Sequence, residues 1–286
     1  MKLSYRPVLA VLGLLALAGC ATPRPLEAER LSGELGRRPV VLLGEVHDNV
    51  AQHRARAEAV RRLLEAGARP AIAFEQFDRE RQADIERARR EQPPEGQSLA
   101  NHVIAQARTQ KDTWDWALYR PFVELALQFD LPIVAANLSR SDATRIVRQG
   151  SDSVFSEMER RELALERFQA ILPTHEHIVQ VGHCNLLPTS ALPGLARAQI
   201  ARDAVLARSL RPYMAQGVIL LTGNGHARRD IGVPQHFAAA EQDRVWSIGL
   251  LEEGTPAERA AHYDAAFLTP EQPRPDPCAA LKPKGR

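Results

Sequence analysis

Short apolar runs bounded by turn residues recur along the chain at 39–44 (PVVLLG), 70–74 (PAIAF), 132–136 (PIVAA), 218–222 (VILLT) and 245–251 (VWSIGLL), with 263–268 (YDAAFL) as a candidate edge strand. Runs that are apolar on both faces mark strands buried in a parallel sheet. Helical periodicity fills the intervals between them. Over 50–66, Ala57, Val60 and Leu64 share one face, with Asp48 or Asn49 placed as N-cap. Over 113–129, Trp116, Tyr119, Val123 and Ala126 share another, and 192–216 reads as a long helix ending near Gly217. Strands alternating with helices predict an α/β fold, a mostly parallel open sheet flanked by helices. The stretch 139–217 is helical in pattern almost throughout. It is expected to form a helical cap inserted between strands three and four.

The N-terminus follows a different pattern. Lys2 and Arg6 precede an apolar run over 8–18, which closes on Leu17-Ala18-Gly19-Cys20. A basic start, an apolar stretch of about 7–15 residues and small residues before the cut define a secretory signal. The run falls short of the roughly 20 residues a membrane span needs. Small residues directly before a cysteine predict a lipoprotein signal peptide over 1–19 and acylation of Cys20, the alternative being simple cleavage near Ala21. Acyl chains such as palmitate hold a protein at a membrane by about 0.8 kcal/mol per buried methylene. No Asp follows Cys20 in Ala21-Thr22-Pro23, so the expected location is the outer membrane, lipid-anchored and facing the periplasm. Residues 20–37 then read as a lipidated linker, 38–269 as the α/β domain and 270–286 as a Pro-rich disordered tail.

Composition narrows the function classes only a little. With 44% hydrophobic and 25% charged residues the chain is ordinary globular protein. A net charge of +2, with arginines interleaved among acids on the helices, argues against nucleic acid as a partner. Setting Cys20 aside leaves Cys184 and Cys278, which either pair in an oxidising compartment or stay as thiols; the pattern leaves both open.

Three predicted strands run into polar residues that a buried strand does not otherwise tolerate: Gly44-Glu45-Val46-His47-Asp48, Glu75-Gln76 and Gly223-Asn224-Gly225-His226. In a parallel sheet the C-terminal ends of the strands open on one side, and ligands bind in that crevice. Glu45, His47, Glu75 and His226 therefore converge, as ligands for a divalent metal such as zinc or manganese, or as general acid and base groups. A single histidine at a strand end is more often a hydrogen-bonding loop residue. Two copies of Gly-x-x-His, each directly after an apolar strand, carry more weight. His53 shares the face of Ala57, Val60 and Leu64 and lies near the crevice mouth, although a helix-face histidine is usually structural. His175, Glu176, His177 and His183 bracket an apolar run without zinc-protease spacing. Neither a Gly-rich phosphate loop nor a Gly-x-Ser-x-Gly elbow is present. Trp116 and Tyr119 read first as core packing.

These motifs, taken in order with several others, resemble the ChaN family of haem-binding lipoproteins in the Tiki superfamily. The resemblance rests on Gly44 to Asp48, Phe74-Glu75-Gln76, Trp116 with Tyr119-Arg120-Pro121, Ala135 to Arg140, and Gly182-His183-Cys184. It continues through Ala198-Gln199 with Arg202-Asp203, Gly223 to Arg228 and Gly232-Val233-Pro234, spanning roughly 38–250. It implies haem or iron binding at the bacterial envelope, haem-linked homodimers and an outer-membrane haem receptor as partner. From the wider superfamily it implies a metal-dependent hydrolase site on Gly44–His47, Gly223–His226 and Glu75. Asp48, His53, Asn137, Arg140, His183 and Arg228 are expected to line the pocket. Haem needs an axial ligand, for which Tyr119, Tyr213 and His177 are the candidates, with His175 also open. The expected role is haem binding for iron uptake, leaning away from an enzyme, with the hydrolase as the alternative.

Overall fold

The computed structural model describes residues 23–109, 113–276, 278 and 279. The segment expected to be a signal peptide and Cys20 lie outside the described residues. Seven strands form one sheet: β1 (Arg24–Pro25), β2 (Val40–Leu43), β3 (Ala71–Asp78), β4 (Ile133–Asn137), β5 (Val218–Leu221), β6 (Val245–Glu252) and β7 (Ala265–Thr269). Their order is β1-β7-β6-β2-β5-β3-β4, and every pairing is parallel, so the sheet is wholly rather than mostly parallel. The fold is otherwise the open α/β sheet flanked by helices that the apolar runs predicted.

Period-two alternation explains why those runs are apolar on both sides. Val41, Leu43, Ile72, Phe74, Ile219 and Leu221 face one layer, where α1 (Ala28–Leu35), α2 (Val50–Glu65) and α5 (Trp116–Gln128) bury Leu31, Val60, Leu64 and Phe122. Val40, Leu42, Ala71, Ala73, Val218 and Leu220 face the other, against Leu206 and Leu210 of α9 (Leu192–Leu210). Each of the larger side chains among these contributes about 1.5–3 kcal/mol by burial. α9 is apolar on a second side as well. There Ala198, Ala201 and Val205 meet Leu138, Ile146, Phe155 and Leu163, the core of the helical cap. The cap comprises α6 (Arg140–Gln149), α7 (Glu157–Glu162) and α8 (Leu172–Gly182), between β4 and β5, the third and fourth of the strands predicted.

Four boundaries differ from expectation. The segment read as a linker carries β1 and α1, and Leu31 is fully buried, so it belongs to the folded body. Because β1 pairs outside β7, the 263–268 strand is not the sheet edge. The long helix stops at Leu210 and tightens into a 3-10 turn at Arg211–Tyr213, where Pro212 has no N–H to continue it. The tail is not disordered over its first part. Gln272 and Arg274 hydrogen-bond Asp48 in the loop after β2 and Glu252 at the end of β6, and Cys278 is disulfide-bonded to Cys184.

Candidate functional site

The C-terminal ends of β2, β5 and β3 open together and deliver Glu45 with His47, His226 and Glu75 respectively. Two glycines let them approach. A Cβ on Gly44 would sit 2.8 Å from the Ile248 carbonyl and 2.5 Å from Asn224 Oδ1. A Cβ on Gly223 would sit 2.9 Å from the His47 ring. Gly44 is thus a packing requirement of the strand-end backbone, and Gly223 leaves room for the His47 ring.

Glu45 and Glu75 have different surroundings. Glu45 is buried beneath the crevice floor. Its Oε1 accepts from the Tyr119 hydroxyl at 2.6 Å and from His47 Nδ1 at 2.9 Å. Its Oε2 forms an ion pair with fully buried Arg56 and lies 3.3 Å from His53 Nε2. His53 Nε2 also meets the His47 carbonyl at 3.0 Å, so this helix-face histidine supports the loop from below. Glu75 accepts from the Thr222 hydroxyl at 2.6 Å and from the Gly223 amide at 2.9 Å. His226 Nε2 lies 3.6 Å from its other oxygen, and His226 Nδ1 donates to Asp203 at 2.6 Å. Each crevice histidine therefore has its Nδ1 held by a carboxylate, Glu45 for His47 and Asp203 for His226. Both Nε2 atoms remain on the Glu75 side. The His47 side chain is 45% exposed at the mouth and packs edge-on against Trp114, ring centroids 4.9 Å apart.

The charges follow from this arrangement. Burial opposes ionisation of Glu75, but His226, His47 and the two donors outweigh it and draw its pKa down to about 2. Burial also opposes the charge on His226, yet Asp203 and Glu75 prevail and raise its pKa. At His47 burial prevails and lowers it. Burial lowers Arg56 to about 10 and pushes the Tyr119 phenol well above its ordinary range.

Of the residues expected to gather here, Glu45, His47, His53, Glu75, His226 and Tyr119 do. Tyr119 is 1% exposed and hydrogen-bonded inward, so it is not placed to meet haem. The others lie elsewhere. Asp48 turns outward because Arg274 holds it with two bonds of 2.9 and 3.0 Å. Arg140 is exposed at the start of α6, and Arg228 is paired with Asp230. His183 is exposed just beyond α8, its Nδ1 on the Val179 carbonyl at 2.8 Å. Asn137 is buried at the end of β4 with its Oδ1 unpaired, and no bond joins it to the crevice group. Tyr213 precedes β5 and is therefore at the opposite, N-terminal end of the sheet. His175 points inward from α8 to the Ile231 carbonyl, whereas His177 is exposed on the same helix. Among the described residues no three His, Cys, Asp or Glu side chains are arranged to hold a metal ion.

Sequence reasoning missed Arg56, Asp203 and Trp114 as members of the site. Asp203 sits in an Arg202-Asp203 pair on a helix, where an acid beside an arginine reads as solvated surface. Only its position opposite β5 makes it the partner of His226.

Comparison with known proteins places this geometry in context. A family model for haem-binding uptake, Tiki superfamily, ChaN, matches residues 31–237. Among solved structures, ChaN of Campylobacter jejuni, described with cofacial haem binding, is 22% identical with a TM-score of 0.63, covering 83% of this chain and 90% of that one. More remote likenesses include a mutant of the erythromycin esterase EreC in its open conformation, 13% identical with a TM-score of 0.45 over 78% of this chain and 72% of that one. A Bacillus cereus protein is 12% identical with a TM-score of 0.43, over 81% and 72%. A search of curated proteins finds no match.

Proposed function

The chain belongs to the ChaN family of haem-binding uptake proteins in the Tiki superfamily, and from that premise we propose that it binds haem through the outward face of α8, with His177 as axial ligand. The observation that carries this reading is the composition of that face. His177 and Val181 are four residues apart and Ile178 and Val181 three, so all three share one side of the helix. Ile178 and Val181 are 38% and 49% exposed, and Leu186 just beyond is 53% exposed. Three of the five exposed large hydrophobics among the described residues thus fall within nine residues of sequence, beside a histidine that has no hydrogen-bond partner among those residues. Exposed apolar surface next to a free imidazole suits a porphyrin, which needs an apolar contact plane and an axial donor. Tyr119 and Tyr263 are buried with their hydroxyls engaged. A groove of about 560 Å³ between α4 (Leu99–Ala107) and α5 offers Arg108 and Arg120 but no His, Tyr, Met or Cys. Acylation of Cys20 would keep this face at the outer membrane, on the periplasmic side, where a haem receptor delivers its cargo. Two such faces meeting through their haems would give a homodimer.

Haem titration of the soluble chain lacking residues 1–20 tests this. A saturable Soret band is expected, and His177→Ala should abolish the axial-ligand signature and weaken binding at least about tenfold, equivalent to about 1.4 kcal/mol. Val181→Asp should weaken binding comparably, whereas Tyr213→Phe should not. Unchanged spectra and affinity in His177→Ala would remove His177 from the reading, and absence of any saturable binding would end it.

A second reading, a hydrolase at the crevice, is favoured by the paired carboxylate–imidazole arrangement. Metal-ligating histidines commonly give their other ring N–H to a carboxylate, as His47 does to Glu45 and His226 to Asp203. Glu75, His47 and His226 are not spaced as a ready ligand set, but they are the groups that would face a divalent ion, which would supply Lewis acidity there. In either a metal or an acid–base role, Asp203 orients His226 and Glu45 orients His47. Metal analysis of the purified protein, with His47→Ala/His226→Ala as control, separates the two. If manganese or zinc binds the parent chain and the double variant equally, this reading fails.

A further inference from the structure

The segment following β7 touches three parts of the molecule in seven residues. Gln272 donates to the Asp48 carbonyl at 2.6 Å and accepts from the Val50 amide at 3.0 Å. Arg274 grips the Asp48 carboxylate and, at 2.7 and 2.8 Å, that of Glu252 at the end of β6. Four residues later Cys278 is disulfide-bonded to Cys184, two residues beyond the end of α8. Four residues reach at most about 14 Å, so the segment runs directly from the loop carrying His47 to the helical cap. The helix whose C-terminal end it reaches borders the crevice at its other end, through its first turn. His175 of α8 lies among Asp203, His226 and Arg228, and its Nε2 meets the Ile231 carbonyl at 3.2 Å. Beyond Val179 the C-terminal end of α8 offers mainly exposed side chains. The bond to Cys278 is therefore the covalent hold on that end.

We propose that Gln272 and Arg274, together with the Cys184–Cys278 bond, form a redox-releasable strap, which joins the His47 loop to the helical cap when oxidised and frees the cap end when reduced. Both half-buried cysteines are reachable by a small thiol. A dithiol supplies two electrons and two protons, the Cys184–Cys278 bond breaks to two thiols, and the dithiol leaves as its own disulfide. The two ends of the strap are held by different chemistry, so they release separately. Reduction frees the cap end, while Gln272 and Arg274 keep the loop end in place. With its end freed, α8 moves away from His226 and the crevice opens on that side.

Hydrogen exchange on the folded chain, oxidised and then treated with dithiothreitol, reads both ends. Reduction should speed exchange over 181–186 at least about tenfold and leave 46–50 unchanged. Diethylpyrocarbonate labelling of His226 should rise severalfold. Cys184→Ser/Cys278→Ser should behave as the reduced chain. Should that variant not fold, reduction of the folded parent gives the same readout. Arg274→Ala in the oxidised chain should have the opposite pattern, faster exchange over 46–50 with 181–186 protected. Identical exchange and His226 labelling with and without the disulfide overturns the strap, as does an Arg274→Ala chain whose 46–50 amides stay fully protected. Neither outcome depends on haem, so the strap and the haem reading can fail independently.

Discussion

Two buried ionisable residues contribute in opposite ways. Arg56 is fully buried against Glu45, with its guanidinium also donating to the Leu43 carbonyl at 3.2 Å and lying over the Phe122 ring. Breaking a buried pair from one side leaves an uncompensated charge, which costs about 3–5 kcal/mol. Arg56→Met is therefore expected to destabilise the fold by that order, and adding Glu45→Gln should recover part of the loss; denaturant unfolding of the single and double variants measures both. His236 is the reverse case, a neutral group kept without partners. Both its ring nitrogens are unpaired and buried, and the ring rests on Phe168 of the cap at 4.0 Å between centroids. Burial lowers its pKa to about 4, outweighing Asp203, while His175, Arg211 and Arg167 push the same way as burial. The unfolded chain thus takes up a proton first, near pH 6.5. Stability from neutral His236 is whole above that pH and is lost as pH falls toward 4. Between pH 7 and 5 the loss should be about 2 kcal/mol. His236→Leu should flatten that part of the stability–pH curve; an unaltered slope would rule His236 out as its source. At this scale Glu45, His47, Glu75 and His226 were legible because a polar residue closing an apolar run is costly to bury unless it serves a site or finds a partner there. Arg56 was not, since an arginine among Arg54, Arg61 and Arg62 reads as one more solvated charge.

Within elements, the five strong apolar runs were legible as strands because both faces of a central parallel strand must be apolar. The weak elements were not. β1 is two residues long, and α1 lies in a polar sequence whose Leu31 and Leu35 gain meaning only once a surface is there to receive them. The Pro-rich tail has no periodicity, and its order comes from Asp48, Glu252 and Cys184, all remote in sequence. The two motif glycines were visible as glycines, but their unequal tolerance was not. At Gly44 a Cβ would meet the backbone carbonyl of Ile248, which cannot yield without separating β2 from β6. At Gly223 it would meet the half-exposed His47 ring, which can turn away. Gly44→Ala should therefore lower the melting temperature clearly. Gly223→Ala should leave it nearly unchanged while altering the imidazole resonances of His47. Equal destabilisation by the two would contradict this difference between backbone and side-chain neighbours.

Across the whole molecule the Cys184–Cys278 bond closes a loop of 94 residues in sequence separation. A cross-link of that span restricts the unfolded chain strongly, and a contribution of about 2–4 kcal/mol is expected. Unfolding of the oxidised and reduced chain in guanidinium should differ by that amount, and coincident curves would show that the bond constrains neither state. The same span explains why the pairing was left open at the level of sequence. Cys278 lies beyond the last strand and Cys184 inside the cap, and only the route of the tail across Glu252 and Asp48 brings them together.

Local chemistry was enough to determine the fold class, the position of the cap in the chain and the four ionisable groups at the strand ends, because apolar periodicity and strand-end polarity are properties of neighbouring residues. The lipidation expectation at Cys20 has the same local character. What only the tertiary structure decided is who faces whom. It turned Glu45 down onto Arg56 and left Glu75 between two histidines. It gave Asp203 to His226, set Tyr119 inward and His177 outward, and drew the tail across to the cap. Those pairings depend on strand order and helix rotation, which bring together residues tens to hundreds of positions apart, and no local pattern encodes them.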